Sequence, residues 1–207
     1  MFATAISQSI GGAVAPLPYC GSYVMAPIAI QIGASKSQKE NIFNEMSSGN
    51  TKFGIAFSEY FGSRDSSSIN FSNEKINGKT IFAIDCDYAT DVLVSDASGK
   101  IGIVSIEDKN IEIVDLITVD KTRTYKEIKF SNANVEILEN TKKNTDAIEK
   151  ALDAGRIITA ADTLGASQAM LDKAVSYSKE RKQFNRVIGS FQACLLYTSD
   201  AADELLG

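Results

Sequence analysis

"GRIITAADTLGASQAMLDKAVSYSKERKQFNRVIGSFQA", residues 155–193, says more about the fold than any other stretch of the chain. Joined to the preceding "DAIEKALDA", it holds helical period from about Asp146 to Phe184, is rich in Ala and contains no proline. That run exceeds the usual globular helix by roughly a factor of two. A helix so long must lie against other long helices, as in a four-helix bundle. Gly165 in its middle costs about 1 kcal/mol of helix propensity relative to Ala, which a close helix crossing would offset.

Working outward, the first third is helical with breaks. "MFATAISQSIGGAV" has apolar spacing of three and four, "APLPYCG" is a connector, and "SYVMAPIAIQIGA" reads as a second, largely buried helix. "SKSQKENIFNEMSSG" offers Ser35 or Ser37 as N-cap and Gly49 as the stop. Between about Lys52 and Leu138 the rhythm changes. "KFGIAFSE", "SSINFSN", "KTIFAID", "DVLVSD", "KIGIVSI", "IEIVDLI" and "YKEIKFSNANVEIL" are each of strand length, and "INGK" and "ASGK" have hairpin-turn compositions. Strands at this spacing with no helix between them predict an antiparallel barrel or sandwich. The expected fold class is α+β and multidomain: a helical segment over 1–50, a central antiparallel β domain over 51–140, the start of a C-terminal long-helix bundle over 141–193, and a tail over 194–207.

Composition excludes several function classes. The chain has 207 residues and a net charge of −5, with a pI near 4.9. It lacks the clustered Lys and Arg of a duplex-binding surface, so nucleic acid is not an expected partner. Without histidine, a Ser-His-Asp triad, a Cys-His dyad and an imidazole metal site are all ruled out. Chemistry must therefore come from carboxylates, Arg, Lys, Tyr or a cofactor. Cys20, Cys86 and Cys194 are odd in number and far apart, which predicts free thiols and a reducing, cytoplasmic setting. The apolar run around "YVMAPIAIQIG" is about half of the roughly 20 residues of a membrane span, and no signal peptide is expected at the N-terminus.

The order of helical segment, β domain and long-helix bundle resembles the acyl-CoA dehydrogenase family, and particular residues carry that resemblance further. From Arg156 to Gln192 the chain is similar to the family's pattern of an Arg, a mid-helix Gly, an Ala-rich face, a Tyr, Arg-x-x-Phe and a following Phe-Gln, without a gap. "IAFSE" resembles the family's short strand ending in Thr/Ser-Glu beside the flavin. "INGKTIFAIDCDYATDVLVSD" resembles its Asn-Gly-x-Lys hairpin, strand and Ala-x-Asp, and "VDKTRTYKEIKFSNANV" its Asp-x-Thr-Arg lead-in.

The resemblance implies FAD as cofactor, an acyl-CoA substrate, an electron-transfer flavoprotein as redox partner, and a homo- or hetero-oligomer whose subunits share the FAD site. Arg181 would reach the cofactor pyrophosphate, with Phe184 packing on the cofactor and Gln183 and Gln192 at the adenosine half. Ser58 would bond the flavin's pyrimidine edge, with Phe57 beside the ring and Phe82 near the isoalloxazine. Glu59 and Arg156 would border the substrate pocket. Each also has an ordinary reading: a solvated helix-end Arg181, core packing for Phe184 and Phe82, surface amides, and a polar Ser58–Glu59 pair in solvent.

The chain departs from the family at "YFGSRD", where Phe61 and Arg64 replace small residues of a phosphate-wrapping loop, and at Ile84, where a Thr hydroxyl is common. Gly155 stands where some branches carry the catalytic Glu, so no catalytic residue is identified and the base is expected beyond Gln192. "CLLYTSDAADE" resembles a translated sequencing adapter, and residues 1–193 are read as the middle of a longer enzyme, inactive alone. Two alternatives stay open: a non-catalytic subunit that completes a partner's flavin site, and a flavoprotein oxidase of the same fold.

Overall fold

In the long helix α4 (Asn144–Glu180), residues Ala147, Ile148, Ala151, Gly155, Ile158 and Gly165 are buried, a spacing of three and four that places them on one face. The computed structural model describes residues 2–61, 68–140, 143–192 and 194. It packs that face against α1 (Phe2–Ala13), a π-helical segment Tyr19–Met25 and α2 (Ala26–Gly33). A third N-terminal helix, α3 (Lys36–Ser48), starts on a capping box in which Ser35 and Gln38 bond each other's backbone, and it stops at Gly49 with φ 79°. Of the two predicted caps, Ser35 is the one used.

The crossing of α1 and α4 is a contact of backbones. A Cβ on Gly11 would stand 1.9 Å from the carbonyl oxygen of Asp162, and one on Gly165 would stand 1.9 Å from that of Gln8. Beside them the Ser7 hydroxyl donates to the Ile158 carbonyl at 2.8 Å. Gly165 therefore gives up helix propensity for close approach, as its place in the sequence predicts. The helix stops at Glu180, four residues short of the periodicity, because Arg181 is extended at φ −67° and ψ 123°.

The predicted strands form, with one change of topology. They are β1 (Phe53–Ala56), β2 (Asn70–Ser72), β3 (Lys75–Ile84), β4 (Asp91–Ser95), β5 (Ile101–Ser105), β6 (Ile111–Leu116), β7 (Tyr125–Asn134) and β8 (Glu136–Ile137), in the order β6-β7-β3-β1-β4-β5-β8 with β2 also on β3. The sheet is mixed, because β1 and β4 are parallel, with Ile55 opposite Leu93. β3 returns antiparallel to β1, and β4 then reverses β3 and comes back along the far side of β1. The expectation of an all-antiparallel sheet is corrected by this pair, and no closed barrel forms among the described residues.

The pleat divides two cores. Ile55 and Leu93 face the helices, joined by Ile30, Ile148 and Ile158, while their neighbours Ala56, Val92 and Val94 face the opposite layer with Ile128 and Phe130. "INGK" is corrected as well. The β2–β3 turn lies earlier, at Asn73 and Glu74 with φ 48° and 59°, whereas Gly78 sits inside β3 with φ 116°. The reason is steric: a Cβ there would be 2.4 Å from the Ser68 carbonyl oxygen, so glycine serves close strand approach. "ASGK" is a turn, closed by Asp96 accepting from the Ser98 and Lys100 backbone. Arg64, the Phe61 side chain and the tail after Cys194 lie outside the described residues.

Gly165→Ala is expected to destabilise the protein by about 1–3 kcal/mol through overpacking at the crossing, read from the denaturant midpoint. At an open helical position the same change would stabilise by about 1 kcal/mol, and that outcome would contradict the crossing.

Candidate functional site

An apolar cleft of about 680 Å³ opens along the buried face of α4. Cys20 and Met25 of the π-helical segment form one wall, Ile84 at the end of β3 a second, and Leu152, Gly155, Arg156 and Thr159 of α4 the third. Gly155 lets Met25 pack close, since a Cβ there would stand 2.8 Å from Met25 Sδ and the methionine would have to shift. The Cys20 thiol donates to the Gly155 carbonyl at 3.8 Å. At the rim Arg156 pairs with Asp153 at 2.5 Å, both about two-thirds exposed. No carboxylate lines the cleft among the described residues.

Asp85 joins two of these walls. It follows β3 with φ 58°, and its Oδ2 accepts the backbone N–H of Gly21 at 2.6 Å and of Ser22 at 3.2 Å. Burial pushes its carboxyl above the usual range, against the pull of those two N–H groups and of Arg123. Hydrogen bonds from Lys126 and Thr124 hold Asp87 below that range. Burial and then the Asp85 charge push the Cys86 thiol up to about 12.

Near Ile84 the predicted flavin-side residues are arranged as follows. Ser58 and Glu59 open a 3-10 turn, Ser58–Phe61, instead of ending the strand. The Ser58 hydroxyl lies 2.9 Å from that of Thr80 on β3. Phe57 and Glu59 are both 3 % exposed, Phe57 within the helix-facing core. Phe82 is 53 % exposed, with φ 57° at a bulge in the β3–β7 pairing, and meets Tyr125 edge-on at 6.4 Å. A positive φ on a bulky aromatic is costly and marks a place where the fold imposes a geometry.

Gln183 and Phe184 lie elsewhere, in a hairpin beyond α4 made of β9 (Lys182–Gln183) and β10 (Arg186–Val187), with Arg181 just before it and Gln192 five residues after it. Its tip, Phe184 and Asn185, has φ 50° and 65°, a primed turn that Asn accepts readily and Phe does not. Phe184 is 90 % exposed. It meets Phe191 edge-on at 6.3 Å, and the Arg186 guanidinium lies 4.1 Å over the Phe191 ring. The sequence reading missed Asp85, Thr80, Cys20 and Met25. Thr80 falls on the side of β3 shared with Ile76, which alternation along the strand could have suggested; Asp85 meets Gly21 across 64 residues and has no local signal.

The family profile described as acyl-CoA dehydrogenase, C-terminal domain, matches residues 145–204, a span that includes most of the segment read as foreign. A Bacillus subtilis protein named "Probable acyl-CoA dehydrogenase YngJ" is 29% identical over 218 residues, covering 90% of this chain and 56% of its own length. The chain thus spans little more than half of that relative. The caffeyl-CoA reductase–Etf complex subunit CarC of Acetobacterium woodii is 45% identical over 56 residues, 27% of this chain and 15% of that protein. The solved acyl-CoA dehydrogenase of Geobacillus kaustophilus superposes with TM-score 0.81 at 17% identity, over 99% of this chain and 60% of that one. It shares the fold.

Cys20 and Cys86 are buried, and Cys194 is exposed. At pH 8 iodoacetamide is expected to label Cys194 and leave Cys20 and Cys86 intact until the protein unfolds, because the thiolate is the reactive form. Fast labelling of Cys86 in the folded protein would contradict its burial.

Proposed function

We propose that the chain is part of an FAD-dependent enzyme of the acyl-CoA dehydrogenase family, whose C-terminal domain profile it matches, and that this enzyme desaturates a CoA thioester between its α and β carbons. The observation that carries the reading is the distance between two halves of a site. At about 1.5 Å per helical residue, Arg181 lies about 39 Å along α4 from Gly155 in the cleft. The exposed hairpin is therefore offered to the site of another protomer, and the cleft and the Ser58–Thr80 pair await a hairpin from a neighbour.

The donor set fits the cofactor. A hydroxyl pair and a half-exposed aromatic suit a flat heteroaromatic with a polar edge, and a guanidinium suits a pyrophosphate. Ser58 would orient the pyrimidine edge, Phe82 would cover part of the ring, and Phe57, buried, would contribute through its backbone. Arg181, Phe184, Gln183 and Gln192 would hold the pyrophosphate and adenosine of a neighbour's cofactor. When bound, FAD supplies the acceptor for the β-hydride and passes electrons to an electron-transfer flavoprotein, a partner that the Etf complex named for the Acetobacterium relative supports. The apolar cleft would exclude water from the acyl chain, with Arg156 at its mouth. Free thiols fit a reducing compartment, and we place the protein in the cytoplasm.

The α-proton needs a carboxylate base, and none lines the cleft among the described residues. On this reading the base would come from another segment or another chain, and residues 1–193 alone would not desaturate. The same observation favours a second reading, a non-catalytic subunit that completes its partner's flavin site.

The full-length protein is expected to purify with bound flavin that an acyl-CoA bleaches under anaerobic conditions, and Arg181→Ala should lower flavin retention about tenfold or more through loss of a charge-assisted contact. A colourless protein, or flavin indifferent to every acyl-CoA offered, would contradict the reading. Flavin bound but bleached only after a second, base-bearing chain is added would select the non-catalytic subunit.

A further inference from the structure

We infer that Asp85 is the positioning residue of the apolar cleft, its carboxylate fixing the π-helical segment to the end of β3 and so holding the Cys20–Met25 wall on which an acyl chain would lie. The inference rests on the acyl reading of the cleft for its ligand, but not for its geometry.

Asp85 is one residue from Ile84, which lines the cleft, and its two acceptor bonds go to Gly21 and Ser22, which lie between the wall residues Cys20 and Met25. The approach is close: a Cβ on Gly21 would stand 2.9 Å from Asp85 Oδ2 and 3.2 Å from its Cβ. Ser22 makes a second tie, its hydroxyl donating to the Phe53 carbonyl on β1 at 2.6 Å. The segment these bonds hold is a π-helix, a backbone form that is rare and occurs mostly as short bulges, often at functional sites. Its far end presses Met25 on Gly155, so a shift at Gly21 is transmitted to the α4 wall.

The carboxylate is kept here at a cost. It is partly buried at a positive φ, with the Asp87 carboxylate nearby and the Cys20 and Cys86 thiols beside it. Arg123, whose charge favours the ionised carboxyl, is itself engaged by Asp162 at 2.8 Å. What the carboxylate supplies in return is an anionic acceptor for two N–H groups.

The test compares full-length, flavin-loaded wild type with Asp85→Asn and Asp85→Ala. The readouts are flavin content, the iodoacetamide labelling rate of Cys20 followed by peptide mass spectrometry, and affinity for an acyl-CoA against CoA itself. Asp85→Ala is expected to label Cys20 at least about tenfold faster and to lose about tenfold in acyl-CoA affinity, with CoA affinity and flavin content unchanged. Asp85→Asn keeps the shape and one neutral acceptor, and is expected to rescue both to within about threefold of wild type. Folded Asp85→Ala with wild-type labelling of Cys20 would overturn the inference. Should Asp85→Ala fail to fold, Asp85→Ser, whose shorter side chain cannot reach both N–H groups, takes its place, and wild-type labelling of Cys20 in folded Asp85→Ser overturns the inference. If the labelling order holds while wild type binds acyl-CoA no better than CoA, the positioning role stands and the acyl reading of the cleft fails.

Discussion

The rest of the structure depends on the place where α1 and α4 touch backbone to backbone, at Gly11 and Gly165. Two helices without side chains at their contact approach closely and in one register, since any Cβ there meets a carbonyl oxygen. That register turns the Ala147–Ile158 face of α4 onto the π-helical segment and α2, with Gly155 opposite Met25. It leaves the second half of the helix projecting. Leu164, Leu171 and Val175 are exposed there, at spacings of seven and four, the pattern of a helix made to pack on further helices. The hairpin at its end is carried away from the chain's own sheet, and a cofactor site shared between protomers is the arrangement proposed to follow.

Much of this was legible locally. Ser35, Gln38 and Gly49 mark one helix by side-chain chemistry alone, and the β-branched runs from Phe53 to Ile137 mark the strands. Gly165 announced a crossing because nothing else explains a glycine in an Ala-rich helix. The parallel pairing of β1 with β4 was not legible, because it is a property of chain return and not of either strand's composition. "INGK" misled for a related reason: a glycine needed for close approach to Ser68 looks the same in sequence as a glycine needed for a turn.

For the candidate site, the sequence could suggest residues clustered along the chain and could not suggest residues clustered only in space. Arg181, Gln183, Phe184 and Gln192 lie within one short segment whose spacing follows a known family pattern. Asp85, Thr80, Cys20 and Met25 assemble from three segments, and their roles rest on distances. The backbone at Phe82 and Asp85 adds what a sequence cannot carry, two positive φ values flanking Ile84, at the point where the sheet meets the cleft. Strain gathered there, and again at Phe184, falls on the two halves that the cofactor reading assigns to different protomers.

Complementation between protomers tests that division most directly. One full-length variant would carry Arg181→Ala with Phe184→Ala, the other Ser58→Ala with Phe82→Ala, and each is expected to lose flavin by itself. Unfolded together and refolded as mixed oligomers, they should regain flavin, because each mixed pair assembles one intact site from the unaltered half of each chain. Mixed oligomers as colourless as their parents would contradict a site shared across the interface.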